Sequence, residues 1–311
     1  MEIVSYQAWP QRIDIWLTQN YPYTRNFFHH LIARGSIRVI KQKQPQLGEQ
    51  QIKKSYLLQP QDQIVIDELT RFIDGSVLDE TPARPIDIRM QTPDYAVIYK
   101  PKGVLSHPTS LRELQTPSVV GGMRHYLNKQ WMPSLGGRAR AGLIHRLDKD
   151  TDGFMIIALS ERGLAYFKEL FMHKSTMHAL AEKEAVPLQK YYRARCAISA
   201  EGEAFLDMIQ HTLPYYIDAL VHARIPHPGT PKRGITKILS FEKITPESVD
   251  IQMQILTWRT HQIRYHLSQQ GLPIIGDTLY GAQPTNAPIA LTAWKLTFLD
   301  PDMREQVFEL S

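Results

Sequence analysis

A single cysteine, Cys196, stands in 311 residues, so neither an internal disulfide nor a cysteine-rich zinc site can form. Its setting, Tyr192-Arg-Ala-Arg-Cys196-Ala-Ile, reads as a strand, which points to a buried structural thiol and a reducing compartment. Long apolar runs are missing as well. No stretch of about 18 apolar residues occurs, which excludes a spanning helix, and Met1-Glu-Ile-Val-Ser5 lacks an apolar signal segment. The expected location is the cytoplasm. Internal repeats and low-complexity tracts are absent, as is any acidic excess: 36 Lys and Arg stand against 31 Asp and Glu, a net charge of +5. That balance favours an anionic partner, nucleic acid first. What remains, 43% hydrophobic and 22% charged, is an ordinary globular chain long enough for two domains.

Residues 10–70 read as a compact unit. Ile13, Trp16 and Leu17 share one helical face, and a second helix, capped by Thr24, presents Phe27, Phe28, Leu31 and Ile32 before stopping at Gly35. Short strands follow at 36–40 and 63–66. Arg25, Arg34, Arg38, Lys41, Lys43, Lys53 and Lys54 run along this segment, either as a solvated face or as a patch for phosphates. Residues 71–92, punctuated by Pro82 and Pro85, read as a linker. The second domain, 93–311, opens with a strand at 95–100. Further strands are expected at 154–159, 191–199, 235–243, 249–257 and 291–298. Helices are expected at 161–172 and at 260–270, the latter capped by Thr260 and stopped by Gly271. Strands joined by long loops with few helices predict an α+β fold with a largely antiparallel mixed sheet.

The densest chemistry lies in His145-Arg-Leu-Asp148-Lys-Asp150-Thr-Asp152-Gly153. Asp148 sits between Arg146 and Lys149, and neighbouring cations favour an ionised carboxylate, suited to a nucleophile or base but not to an acid. RNA would be repelled by such a group, so with an RNA ligand the acid serves chemistry; otherwise it is a salt-bridged loop residue. Tyr192, in Lys190-Tyr-Tyr192-Arg-Ala, can stack on a base or move a proton, or it can simply pack across the sheet. Arg264, in Arg259-Thr-His-Gln-Ile-Arg264-Tyr-His266, lies one position off the stripe of Ile263 and Leu267 and can reach a carboxylate or face solvent. His261 and His266 have no acid or cysteine at ligand spacing, so no metal is expected.

Lys100-Pro-Lys-Gly103, the acidic motif, Lys190-Tyr-Tyr-Arg-Ala, and Arg259-Thr-His-Gln-Ile-Arg264 with Gly276-Asp-Thr-Leu-Tyr-Gly281 together resemble the RluA-type family of RNA pseudouridine synthases. The likeness runs from about residue 95 to 300 in order and approximate spacing. Residues 10–70, through Arg12-Ile-Asp-Ile-Trp-Leu17, Arg34-Gly-Ser-Ile-Arg-Val39 and Pro60-Gln-Asp-Gln-Ile-Val-Ile66, resemble the S-four-like (alpha-L) RNA-binding module. The resemblance implies a small α+β RNA-binding domain ahead of a synthase domain.

By position, the resemblance implies that Asp148 is the catalytic aspartate, that Tyr192 stacks on uracil and helps remove a proton from carbon five, and that Arg264 pairs with Asp148. Arg146 would fill the space left by a flipped uridine, and Leu147 and Ile263 would be apolar walls. Lys100 and His145 would lie against the substrate. No cofactor or metal is implied. The partner would be RNA, ribosomal RNA favoured, with no membrane, no obligate protein partner and a monomeric chain. Against the family's usual pattern, Asp152 replaces a small hydroxyl residue, Trp258 a glycine and Thr292 a histidine, and the stretch 173–189 is long. A non-catalytic RNA-binding or ribosome-assembly protein is the alternative reading, although binding alone would not need Asp148. A glycoside or nucleoside hydrolase would require Asp148 and Asp150 to face each other across a sugar.

Overall fold

The computed structural model describes residues 1–67 except 22 and 24, then 82, 84–108, 113, 115–127, 142–176, 187–224, 230–281 and 287–310; at 26, 30 and 174–176 it describes backbone alone. The chain divides into two compact units, Met1–Arg84 with His107–His125 and Gly136–Ala141, and Pro85–Ser106 with Tyr126–Leu135 and Gly142–Ser311.

The first unit starts earlier than the sequence pattern suggests. Strand β1 (Glu2–Ser5) pairs antiparallel with a strand sixty residues on, β6 (Gln63–Ile66), putting Glu2 opposite Ile66. The two-residue strands β2 (Gln11–Arg12) and β5 (Leu57–Leu58) also pair. Between them, helix α1 (Ile13–Asn20) buries Ile13 and Leu17, and α2 (Arg25–Arg34) buries Phe28, Leu31 and Ile32, the i, i+3, i+4 stripe expected of it. The expected Thr24 cap lies outside the described residues. Strand β3 (Ile37–Ile40) joins β6 and β4 (Glu49–Gln51), giving a sheet of order β1-β6-β3-β4. Asp62, buried in the turn before β6, accepts from the Gln42 and Gln59 N–H groups and the Tyr56 hydroxyl, so one carboxylate ties three segments.

The second unit is one large sheet. Its strands are β7 (Asp87–Gln91), β8 (Tyr95–Lys100), β9 (Asp152–Ala158), β10 (Leu188–Ala197), β11 (Tyr215–Val221), β12 (Lys232–Thr245), β13 (Ser248–Ile255), β14 (Leu291–Leu299) and β15 (Glu305–Glu309). Among the described residues the order is β11-β12-β13-β10-β14-β9-β8-β7, with β15 also on β14. All these pairings are antiparallel except β14 with β9. The fold is α+β with a mixed, mainly antiparallel sheet. Strand β7 lies inside the stretch read as a linker. Its alternation leaves three of five residues exposed, the pattern of an edge strand, and nearby prolines masked it.

Helix α3 (Val119–Tyr126) groups with the first unit up to His125. Helix α4 (Glu161–Thr176) covers the middle of the large sheet, with Phe167 edge-on to Tyr95 at 5.3 Å and to Phe298 at 5.5 Å. Val97, Phe154, Ile156, Leu188 and Leu296 complete this core, each such side chain stabilising by about 1.5–3 kcal/mol through burial. Helix α5 (Ala200–Ile209) is capped by Ser199, whose hydroxyl accepts from the Gly202 N–H. Of the stretch 173–189, residues 177–186 lie outside the described residues.

Helix α6 (Gln262–Gln269) corrects a sequence expectation. Its N-cap is His261, left-handed at φ 56° and without a side-chain cap, not Thr260. The Gln262 side chain folds back instead and accepts from the Arg259 N–H and the Thr257 hydroxyl. At the far end Gly271 takes φ +69° while Leu272 N–H reaches Leu267 and Gly271 N–H reaches Ser268, a Schellman closure that a residue with a Cβ resists. No helix among the described residues is long and apolar enough to cross a membrane.

Candidate active site

The acidic motif forms the loop entering β9, and its backbone is held on both sides of Asp148. The Ser106 hydroxyl donates to the Leu147 carbonyl at 2.7 Å and accepts the Leu147 N–H at 3.0 Å. Lys149 offers its carbonyl to the Lys100 ammonium at 2.9 Å and to the Gly103 N–H at 3.0 Å. Asp148 closes the turn by accepting the Thr151 N–H through its own carbonyl. Its carboxylate remains accessible, with a quarter of the side chain exposed (26%).

A guanidinium and an imidazole face that carboxylate at the same distance. Arg264 Nη1 and His261 Nε2 each lie 3.9 Å from Asp148 Oδ2, outside direct hydrogen bonding; the guanidinium is close enough to act on it by charge, while burial lowers the His261 imidazole and favours its neutral form. The expected partnership of Arg264 with Asp148 is thus the looser of two. Arg264 makes a bidentate bond to Asp277 at 2.7 Å on both nitrogens. Asp277, which sequence reading did not single out, is buried and also accepts the Leu279 and Tyr280 N–H groups. Burial pushes its carboxyl up, but the Arg264 guanidinium and those amides outweigh burial and hold it below the usual range. Tyr280 lies under the guanidinium, 5.2 Å from ring to Cζ, and its hydroxyl meets His261 Nδ1 at 3.2 Å.

Tyr192 projects from β10 where the β10–β14 register slips by one residue, a bulge of the kind that re-aims a side chain. It is 6% exposed, and burial followed by the Asp148 charge raises its phenol far above the ordinary value. Leu147 and Ile263 are buried, and Arg146 is exposed at the loop surface. A cleft of about 220 Å³ opens beside Asp148, lined by Asp150, Thr151, Arg264, Gly276, Asp277 and Thr278 among others.

Two residues expected to face substrate are turned inward. Lys100 is fully buried and gives its three protons to the carbonyls of Pro101, Val104 and Lys149. Desolvation lowers its ammonium to about 8 against the pull of Asp152, Asp148 and Asp150. Its role is to pin the loop. His145 stacks on Phe171 with centroids 5.0 Å apart, and its Nε2 accepts the Ile156 N–H at 3.0 Å. His261 and His266 serve different neighbours, since His266 Nδ1 meets the Thr236 hydroxyl at 2.9 Å.

The unusual residues of the motif prove to be partners. Thr292 donates to Asp152 Oδ1 at 2.7 Å and Tyr99 donates to Oδ2 at 2.5 Å. Next to them Gly153, at φ +131°, lies so close to β14 that a Cβ there would sit 2.2 Å from the Ala293 carbonyl oxygen. Trp258 packs on Phe171, centroids 4.5 Å apart.

In the first unit the basic residues divide. Arg38 spends its charge on Glu49 at 2.6 Å and Asp67 at 2.5 Å, which removes it from a phosphate patch. Arg25 binds the fully buried Asp14 at 2.8 Å, together with Arg12 and His29. Burial alone would raise the Asp14 carboxyl, yet those three donors drive it far below the usual range. Lys41 lies over the Tyr56 ring, while Lys43, Lys53 and Lys54 are exposed. Arg34 ends α2 as its last basic residue.

The sequence profile described as RNA pseudouridylate synthase matches residues 94–269. An uncharacterized RNA pseudouridine synthase of Aquifex aeolicus (strain VF5) is 26% identical over 314 residues, covering 96% of this chain and 90% of the relative. Ribosomal large subunit pseudouridine synthase D of Yersinia pestis is 27% identical, covering 88% of this chain and 74% of the relative. Among solved structures, Human RNA Pseudouridylate Synthase Domain Containing 1 superposes with a TM-score of 0.50 at 17% identity, over 74% of this chain and 85% of that one, a likeness of fold.

Proposed function

Because the chain belongs to the RNA pseudouridylate synthase family, isomerases that convert uridine to pseudouridine in RNA, we propose that it modifies specific uridines of structured RNA, ribosomal RNA foremost, with Asp148 as the catalytic carboxylate. The observation that carries this reading is the treatment of Asp148. Its neighbours Leu147 and Lys149 are pinned through the backbone, while its carboxylate stays open and faces a guanidinium and an imidazole, each at 3.9 Å.

In this reading a target uridine leaves its stack, at a cost of a few kcal/mol, and Arg146 takes its place. Leu147 and Ile263 wall the pocket and Tyr192 lies against the uracil. Asp148 acts by attack on sugar or base, breaking the bond from nitrogen so that the base can rejoin the ribose through carbon five. Arg264, itself aimed by Asp277, orients the carboxylate and faces its charge. The names of the ribosomal relatives favour ribosomal RNA. The first unit, read as an S-four-like domain at 10–70, holds the RNA backbone through Lys43, Lys53 and Lys54.

Asp148→Asn tests the reading. It should abolish pseudouridine formation on unmodified ribosomal RNA while leaving RNA affinity intact; modification at the wild-type rate would refute it. Replacing Lys43, Lys53 and Lys54 together by Gln should make binding less steeply dependent on salt, the slope falling by about one for each phosphate no longer neutralised.

A further inference from the structure

The cleft beside Asp148 is lined by acids, yet RNA brings a phosphate on either side of every base. Asp150 and Asp277 share the cleft wall with Asp148. Arg264 is bound to Asp277 and faces Asp148, so its charge is already committed. The phosphates that flank a flipped uridine therefore need a cation of their own at the rim.

The rim supplies one in Arg224, exposed just beyond β11. Its main-chain N–H donates to the Tyr280 hydroxyl at 2.6 Å, and its Nη1 donates to the Leu279 carbonyl at 2.6 Å. The guanidinium also lies against the Tyr280 ring, with Cζ 5.3 Å from the ring centre. These contacts hold a long side chain in place, which lowers the entropy lost when a ligand is bound. Leu279 and Tyr280 directly follow Asp277 and Thr278 of the cleft wall, so the guanidinium is anchored to that wall. Tyr280 carries Arg264 as well, at 5.2 Å. One ring thus supports the guanidinium that faces Asp148 and the one that faces solvent.

What Arg224 lacks is a carboxylate. Arg195 and Arg233, exposed on β10 and β12, close their Nε and Nη2 forks on Asp250 and Asp218. Arg224 has no carboxylate within 4 Å among the described residues, and its Nε and Nη2 bind no protein group there. Such a fork matches two oxygens of one phosphate. Here it is held from behind and open in front.

Resting on the function proposed above, we propose that Arg224 clamps the backbone phosphate adjoining the target uridine. Its Nε–H and Nη2–H donate to the two non-bridging oxygens of that phosphate while the uracil enters the cleft toward Asp148. Tyr280 couples the two ends, steadying Arg264 against the acid and Arg224 against the backbone. Arg224 touches no reacting atom; it sets where the strand lies when the base is inside.

Ethylation interference on unmodified ribosomal RNA reads this contact phosphate by phosphate. Sparingly ethylated RNA is bound, bound and free pools are separated, and pseudouridine is mapped on the same RNA. With the wild type, ethylation of a phosphate next to the mapped uridine should deplete that molecule from the bound pool. With Arg224→Gln the depletion at that phosphate should vanish while interference elsewhere remains. Affinity should fall about five- to tenfold near 0.15 M salt. The slope of log affinity against log salt should flatten by about 0.7–0.9, the share of one phosphate. Arg224→Lys keeps the charge without the fork, so it should restore the slope and only part of the affinity. An Arg224→Gln enzyme with the wild-type slope and interference pattern overturns the proposal alone, as does interference lost only at phosphates remote from the mapped uridine. An Arg224→Lys enzyme as weak and as flat in salt as Arg224→Gln overturns it too, because the loss would then be structural. A wild-type enzyme that forms no pseudouridine ends both this proposal and the reading of function.

Discussion

Asp277 is the sharpest place to test how the site is held. Asp277→Asn keeps the shape but presents an amide to a guanidinium that now finds two carboxylate oxygens, each at 2.7 Å. One amide position can still accept; the other sets N–H against N–H. Removing one partner of a buried pair costs about 3–5 kcal/mol. Arg264 retains 11% side-chain exposure and a second carboxylate at 3.9 Å, so the expected loss is ~2–4 kcal/mol. It would be measured as a fall in the urea midpoint at constant slope. The freed guanidinium should shift toward Asp148, and a displacement of about 1 Å costs roughly 100-fold in single-turnover rate, with RNA affinity unchanged. Arg264→Met combined with Asp277→Asn should be less destabilised than the two single losses sum to, by about 1–3 kcal/mol. The pH sign is fixed too. The Asp277 carboxyl is held below its unfolded value, so its stabilisation is present above the ordinary carboxyl range and lost as pH falls through the folded value. An Asp277→Asn protein that loses under about 1 kcal/mol and keeps full rate refutes the argument.

Two further outcomes follow from neighbouring geometry. Ser106→Ala removes both bonds to Leu147; it should cost about 1–3 kcal/mol and slow isomerisation without weakening RNA binding, and an unchanged rate would show that the loop holds itself. His266 is buried, and burial pushes its imidazole down to about 4. The unfolded chain takes up that proton near 6.5, so stability should fall by ~3 kcal/mol as pH drops from about 6.5 to 4. His266→Gln should flatten that part of the stability curve, and an equally steep curve would place the proton elsewhere.

The acidic motif was legible because its parts are contiguous. One loop carries the carboxylate, its flanking cations and the glycine that lets β9 approach β14. The amphipathic helices and alternating strands were legible for the same reason. What stayed hidden depends on partners far along the chain. Ser106 and Lys100 act on the loop through its backbone, which leaves no mark on side-chain spacing. Asp277 lies in a quoted motif, yet nothing local shows that it meets Arg264. Lys100 and His145 looked like substrate contacts because polarity in a motif suggests exposure, whereas their protons and lone pairs go to carbonyls and an amide. Asp152 and Thr292, unusual one at a time, explain each other once paired. Strand β7 was lost to its own exposed pattern.

The order of strands has a consequence for how the enzyme is made. Strand β14 lies between β9, which follows Asp148, and β10, which carries Tyr192, and it joins β9 through Asp152–Thr292 and Gly153–Ala293 alone. The acid, tyrosine and arginine all leave the ribosome before the strand that spaces them. A nascent chain stopped short of Thr292 therefore holds Asp148, Tyr192 and Arg264 but lacks the strand that lies between their supports. If the site works as proposed, activity should arrive only with the last strands, so that a half-made chain leaves the RNA around it unmodified.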